Sequence, residues 1–480
     1  MTFRGGTGSG RTPGDVVVVG GSLAGLLAAA ALAGPGRTVT VVERDVVADA
    51  PAPRPGVPQG RQPHALLYRS LVAVEELLPG FGDDLRAAGA VPVDTGALAW
   101  LGELGWSPDS EQFPVLSASR PLIEHVVRTR VLELPGVRTV DGARVTGLSA
   151  ADADPGSGAD PGSPRWSVAL EGREALPADL VVDASGRASR LPVWLDALGV
   201  PPAAVEQVDA RIGYATRTLR LPVDAVGPAG VVIAQLPDQP GGIALPVEGG
   251  RWLVAAAGAG DRRPPREPDA WRAYLGALRD PALAEIVDAG ELEGEVVVHR
   301  QTANVRHRYD RVPGWPGGLV VVGDALCAFD PVYGQGVAVA ALEALALRDA
   351  VRRDDLTTAR GARRFLRRAV RAGALPWAIA TGEDLRLPTS EGRVPRATAL
   401  AGVWTGELAR LGTHGDTVAQ AALARVYHLM ASPLSVYRPS LVARVLRARL
   451  RGYGPPVPRP QIVRGAVRGA ADVSPPAARP

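Results

Sequence analysis

The longest charge-free stretch of the chain, 16–33, is not evenly apolar: Val16 to Val19 stop at Gly20-Gly21, and 23–32 is then built from alanine and leucine. A β-branched run closed by glycine reads as a buried parallel strand, and the Ala/Leu run after it as a helix. The helix stops at Gly34-Pro35-Gly36, and 38–42 is a second β-branched run that finishes at Glu43. On length alone the stretch resembles a membrane span or a signal core behind Arg4 and Arg11, but the valine-glycine break favours strand, turn and helix. Strand, glycine turn, helix and second strand form a βαβ unit ending on an acid.

The pattern predicts the remaining elements. Runs 144–148 and 166–170 flank the Gly/Pro/Asp-rich segment 151–164, giving a hairpin with a long insertion. Stretches 211–221, 230–236 and 252–257 form a second, mostly antiparallel sheet. From 337 the period is helical: 337–353, 359–373, about 395–411, 416–430 and 439–451. The ends, 1–14 and 453–480, lack an apolar period and read as disordered tails. The expected fold is α/β with an α+β second domain. A Rossmann-like domain with a parallel sheet spans 15–200 and 311–352, an antiparallel substrate-binding sheet 201–310, and a helical C-terminal region 353–452.

Composition narrows the chemistry. With 480 residues, 46% hydrophobic and 21% charged, the chain can bury a large core. Its net charge of +3 is spread along the sequence, which argues against nucleic acid as a partner. Every basic residue other than histidine is arginine, so no lysine amine exists for a Schiff base. The single cysteine, Cys327, excludes an internal disulfide or a cysteine-based metal cluster and suits a reducing cytoplasm.

Gly20, Ser22 and Gly25 occupy the positions of G-x-G-x-x-G, with serine at the middle one. The first glycine allows the turn, the small middle residue lets backbone approach a pyrophosphate, and the third allows close packing of helix on strand. Glu43 stands where a carboxylate takes ribose hydroxyls. Two further strand ends carry small-residue turns. Run 180–182 leads into Asp183-Ala184-Ser185-Gly186, which by itself is better read as an ordinary turn. Run 319–322 leads into GDALCAFDPVYGQG, 323–336, and then a long helix whose N-terminal partial charge favours an electron-rich ring edge.

Together these stretches resemble the flavoprotein monooxygenase family related to para-hydroxybenzoate hydroxylase, over about residues 15–400. The resemblance implies FAD. It implies that Gly20, Gly21, Ser22, Leu23, Ala24, Gly25, Glu43 and Arg44 hold the ADP half, with Arg120 and Val145 alongside. Asp183, Ser185, Gly186, Gly323 and Asp324 would line the middle, Asp324 on the ribityl chain, and Pro331, Gly334, Gln335, Gly336 and Val337 would meet the isoalloxazine. A surface arginine opening a helix would look the same as Arg120. The segments RPGVPQGRQPHALL (54–67), LPWAIATGED (375–384) and PVYGQG resemble the branch that includes polyether epoxidases of the lasalocid and monensin type. That branch implies Arg61 and His64 near the flavin, although a loop histidine satisfied by backbone fits equally. Tyr214, Pro376 and Trp377 would line the substrate cavity, or be core.

The implied reaction is oxygen transfer from a flavin C4a-hydroperoxide, formed from reduced FAD and O2, to a large apolar substrate of secondary metabolism such as antibiotic biosynthesis, by epoxidation or hydroxylation. No metal and no protein nucleophile is required. Aromatic residues make up only 5% of the chain, which suggests an aliphatic cavity. Hydroxylases of the family carry Asp-Gly where this chain has Ser185-Gly186, so NADPH would act directly or through a separate flavin reductase. Two other readings stay open: an FAD-scaffolded non-redox cyclase of a polyketide pathway, and a flavin-dependent reductase of an isoprenoid chain. A halogenase is disfavoured, because the catalytic lysine and the W-x-W-x-I-P segment of that family are both missing.

Overall fold

A computed structural model describes residues 14–151 and 165–464. The expected tails within 1–13 and 465–480, and the insertion 152–164, lie outside the described residues.

The β-branched runs form a five-stranded parallel sheet in the order Leu319–Val321, Leu180–Asp183, Asp15–Val19, Thr38–Val42, Val137–Val140. A parallel sheet is covered on both faces, which is why these strands read as unbroken valine. Helix Leu23–Leu32 packs against Gly336–Arg353 and Arg120–Leu132. Leu26, Leu27, Ala28, Ala29 and Leu32 are all fully buried, so the helix is apolar all round and shows no amphipathic stripe. The expected hairpin is present: Val145–Ala151 pairs antiparallel with Arg165–Leu170, which then pairs with Arg173–Ala178.

The second sheet has seven strands, ordered Glu291–His299, Ile212–Arg220, Arg251–Ala259, Gly241–Val247, Gly230–Ile233, Leu98–Gly102, Gly105–Trp106. All pairs are antiparallel except Gly230–Ile233 with Leu98–Gly102. The stretch expected to serve the parallel sheet therefore also supplies two strands here. Helices Pro268–Gly276 and Ala282–Ala289, not foreseen in the sequence, pack against this sheet. Trp271 and Trp252 are fully buried, and their ring N–H groups donate to the carbonyls of Ala215 and Leu221 at 2.9 and 3.0 Å. A small sheet of Val205–Val208, Asn304–His307 and Cys327–Ala328 joins the two regions.

The helical expectation after 336 holds, with one further helix, Ala374–Asp384. The tail expectation is corrected over 453–464. The Gly227 amide donates to the carbonyl of Ile462 at 2.8 Å, and Ile462 is 1% exposed in the core of the second sheet. Arg459 pairs with Asp280 at 2.8 Å. Pro and Arg hid this segment, because it docks through a few isolated side chains rather than through a periodic face.

Candidate functional site

Strand register sets the site. Val42, Val19, Asp183 and Val321 lie in one row across the parallel sheet. The three glycine-bearing turns leave the sheet from this row, at the carboxyl ends of adjacent strands, where ligands bind in open α/β sheets. Two kinds of glycine line the row. Gly20 has φ +102°, and a Cβ there would come 2.5 Å from the carbonyl oxygen of Ala184; a Cβ on Gly25 would come 1.8 Å from that of Gly20. At Gly186, Gly334 and Gly336 a Cβ would meet nothing within 4 Å. The first kind packs the turns together, and the second borders open space.

On the first turn a polar network is already assembled. The Gly21 amide donates to Glu43 Oε2 at 2.9 Å, and Asp45 N–H donates to Glu43 Oε1 at 3.0 Å. Ser22 Oγ donates to Glu124 Oε2 at 2.7 Å and accepts from Arg120 Nη2 at 2.7 Å. Arg120 is buried, inside the site rather than at the surface. Arg54 stands 3.1 Å from Glu43 and 2.9 Å from Asp45, and its Nε donates to Glu124 at 2.8 Å. Burial pushes the Glu124 carboxyl up, but Arg120 and Arg54 outweigh it and hold the group below its ordinary range. Sequence reasoning missed Arg54, although it opens the segment 54–67. Arg44, expected on the ADP half, is about half exposed and lies 3.9 Å from Asp45.

The second and third turns are tied by another residue that the sequence did not mark. Arg187 Nε lies 3.3 Å from Asp324 Oδ2, its Nη1 donates to the Ala303 carbonyl at 2.6 Å, and its Nη2 donates to the Phe329 carbonyl. Asp324 is raised by burial, against the pull of Arg187 and Arg120. Asp183 is turned inward, contrary to a place on the cofactor. Its carboxylate accepts from Ser185 N, Ser185 Oγ and Ser189 Oγ at 3.0, 2.5 and 2.6 Å, and it is fully buried. Leu23 and Val145 are buried in the main core. The Gly323 amide donates to Glu343 Oε2 at 2.6 Å, and burial pushes that carboxyl up to about 8.

At the far end of the row, Asp330-Pro331 leads through Gly334, in the left-handed region at φ +64°, to Gln335 and helix Gly336–Arg353, in whose first turn Val337 is partly buried. Gln335 is fully buried, and neither side-chain amide atom has a partner among the described residues. Tyr214 donates its hydroxyl to Asp330 Oδ1, and its ring stacks on His299 at 6.3 Å. His64 Nδ1 lies 2.8 Å from the Gln62 carbonyl, so Nδ1 carries the proton and Nε2 is left as an acceptor. Burial, then Arg120, push His64 down to about 4, which makes it neutral at pH 7. The Thr216 hydroxyl donates to Gln62 Oε1, seating this segment on the second sheet.

Three further expected residues have the following surroundings. Arg61 is exposed and lines a cleft of about 370 Å³ with Arg266, Glu295 and Val296. Trp377 lies under the Arg306 guanidinium, 4.3 Å from ring centroid to Cζ, and packs on the main core. Pro376 is buried in its helix. These positions reflect ordinary packing, which an aromatic or arginine in a motif cannot reveal by itself.

The arrangement suits a long ligand with phosphates at one end and a ring at the other. The turn after Gly20 opens a helix at Ser22, whose N-terminus attracts anions. Arg120 Nε is buried without a hydrogen-bond partner among the described residues. Open space at Gly186, Gly334 and Gly336 continues the same edge. FAD fits these features.

No family model matches the chain. Protein Rv3254 of Mycobacterium tuberculosis is 35% identical over 354 residues, covering 70% of this chain and 72% of that protein. Among solved structures, PqsL, a probable FAD-dependent monooxygenase from Pseudomonas aeruginosa, superposes with a TM-score of 0.56 at 17% identity, covering 78% of this chain and 97% of PqsL. PyrE3, a Diels-Alderase in the biosynthetic pathway of pyrroindomycins, superposes with a TM-score of 0.57 at 17% identity, covering 87% of this chain and 81% of PyrE3. The fold is shared with PqsL and PyrE3, and the chain belongs to the same family as protein Rv3254.

Proposed function

We propose that the protein is an FAD-dependent monooxygenase that transfers one oxygen atom from O2 to a large apolar small molecule. The observation that carries this reading is the single row of strand ends from which three glycine-bearing turns leave, the second and third bordering open space at Gly186, Gly334 and Gly336. When bound, FAD would supply the oxygen chemistry. The chain's own residues would do the rest. Glu43 and the Ser22 helix N-terminus would hold ribose and phosphates, with Arg120 adding a fixed positive charge. Asp324, oriented by Arg187, would take the ribityl hydroxyls. The backbone N–H groups at Gln335 and Gly336 would stabilise negative charge on the ring edge. Neutral His64, with Nε2 as an acceptor, would take a hydrogen bond beside Arg120 without adding charge. The second sheet would close over the ring and exclude water.

Epoxidation, of the kind carried out by polyether epoxidases, is the finer form of this reading; the segments 54–67, 375–384 and PVYGQG support it. Because Asp183 is spent on Ser185 and Ser189, no carboxylate from that turn faces a nicotinamide donor. Reducing equivalents would therefore come from a separate flavin reductase.

The same observation favours one second reading, a cyclase in which FAD shapes the pocket without cycling; the shared fold with a Diels-Alderase is compatible with it. One assay separates the two. The FAD-loaded protein is given NADPH, a general flavin reductase, a polyene and isotopically labelled O2. Label in the product supports oxygen transfer, whereas conversion without O2 or reductant establishes the cyclase.

A further inference from the structure

We propose that Asp330 and Asp384 share one proton and together clasp the loop 330–336, with Asp384 acting as a positioning residue for the FAD ring. The inference rests on the proposed FAD reading of the site.

Asp384 ends helix Ala374–Asp384, and both carboxylates are buried, at 0% and 1% exposure. Asp384 holds the loop at two points. Its Oδ1 accepts from the Tyr333 hydroxyl at 2.7 Å. Its Oδ2 accepts from Asn304 Nδ2 at 2.5 Å, while Asn304 Oδ1 accepts from the Asp330 amide at 2.9 Å. The clasped segment leads directly into Gly334 and Gly336, which border open space on either side of buried Gln335. From the second sheet, Tyr214 donates to Asp330 Oδ1, which also accepts from Val332 N at 3.0 Å; Asp330 Oδ2 is buried and has no partner among the described residues.

The surrounding charges leave the pair short of cations. Arg187 faces Asp330 from the turn after Leu180–Asp183, but that guanidinium also serves Asp324 and two carbonyls. Asp209 adds negative potential to both carboxyls, Glu383 faces Tyr333, and His299 stacks on Tyr214. Two ionised carboxylates this deep, one of them tied through Asn304 to the backbone amide of the other residue, are strongly disfavoured unless one keeps a proton. Both are raised, by burial first, and Asp384 next by Asp330. Asp384, pushed up to about 8 against about 6 for Asp330, keeps the proton. Losing it to water breaks one O–H bond and leaves two anions whose repulsion loosens the loop.

The test uses full-length protein carrying Glu343→Gln, so that the buried carboxyl on Gly323 does not titrate. FAD affinity is measured by equilibrium dialysis between about pH 6 and about pH 9. The parent should lose affinity above neutral pH, by up to about tenfold per unit. Asp384→Asn, which keeps a polar side chain without the charge, should show a flat profile; Asp384→Ala should bind more weakly than the parent throughout. Hydrogen-deuterium exchange of amides 330–336 without FAD, corrected for the intrinsic rate, should rise with pH in the parent and not in Asp384→Asn. A flat parent profile, or an Asp384→Asn profile that falls like the parent's, overturns the clasp. If the parent binds no FAD at any pH, the FAD reading fails, and the exchange experiment alone decides the clasp.

Discussion

Arg187 Nε sits 3.3 Å from Asp324 Oδ2, joining two turns that lie far apart in sequence. The same guanidinium holds the carbonyls of Ala303 and Phe329, so it fixes Asp324 and the approach to the ring-facing loop together. A charge-assisted hydrogen bond is worth about 1.5–3 kcal/mol. Arg187→Ala should therefore weaken FAD binding by roughly ten- to a hundredfold. Arg187→Lys should restore little, because one ammonium cannot reproduce the planar fork. Fluorescence titration with FAD checks both; wild-type affinity in Arg187→Ala would remove this residue from the site.

The two kinds of glycine make opposite predictions. Gly25→Ala forces a methyl to within 1.8 Å of the Gly20 carbonyl, so it should lower the thermal midpoint sharply or prevent folding. Gly336→Ala puts a methyl into open space at a helical position, so stability should be kept or slightly raised while FAD affinity falls. Calorimetry and dialysis on the same samples separate the effects. A Gly336→Ala protein that binds FAD normally would mean that the ring lies elsewhere.

Glu343 gives a pH signature independent of any ligand. Its carboxyl is raised to about 8 by burial, so the folded state holds the proton more tightly than the unfolded chain does. The stability it contributes is complete below the ordinary carboxyl value and is lost as pH rises toward about 8. Glu343→Gln keeps an acceptor for the Gly323 amide and should flatten that part of the decline. Chemical denaturation at about pH 5 and about pH 9 measures the difference.

Ile462 tests the docked tail. It is 1% exposed in the core of the second sheet, and truncating such a side chain to alanine typically costs about 2–5 kcal/mol. Ile462→Ala should destabilise the protein by this order. A change below about 0.5 kcal/mol, the range of ordinary surface substitutions, would show that the segment is not packed there.

The sequence by itself determined the strands of the parallel sheet and their glycine turns, because buried parallel strands must be β-branched on both faces and glycine must stand where turns approach within a van der Waals radius. Val16 to Val19, Gly20, Gly25 and the glycine-rich run before Gly336 carry that information locally. It also placed Ser22 and Asp324 at strand ends. Tertiary structure alone decided that these ends lie in one row, since strand order depends on crossovers and not on any single run. It likewise decided what each charged group faces. Asp183 turns toward Ser185 and Ser189, Arg44 stays at the surface, and Arg54 and Arg187, unmarked in the sequence, reach Glu43 and Asp324. An arginine's reach is long and its partners are distant in sequence, so spacing cannot assign them. Asp384 and Asp330 become a pair only because helix Ala374–Asp384 lays its last carboxyl on Asn304, which accepts from the Asp330 amide.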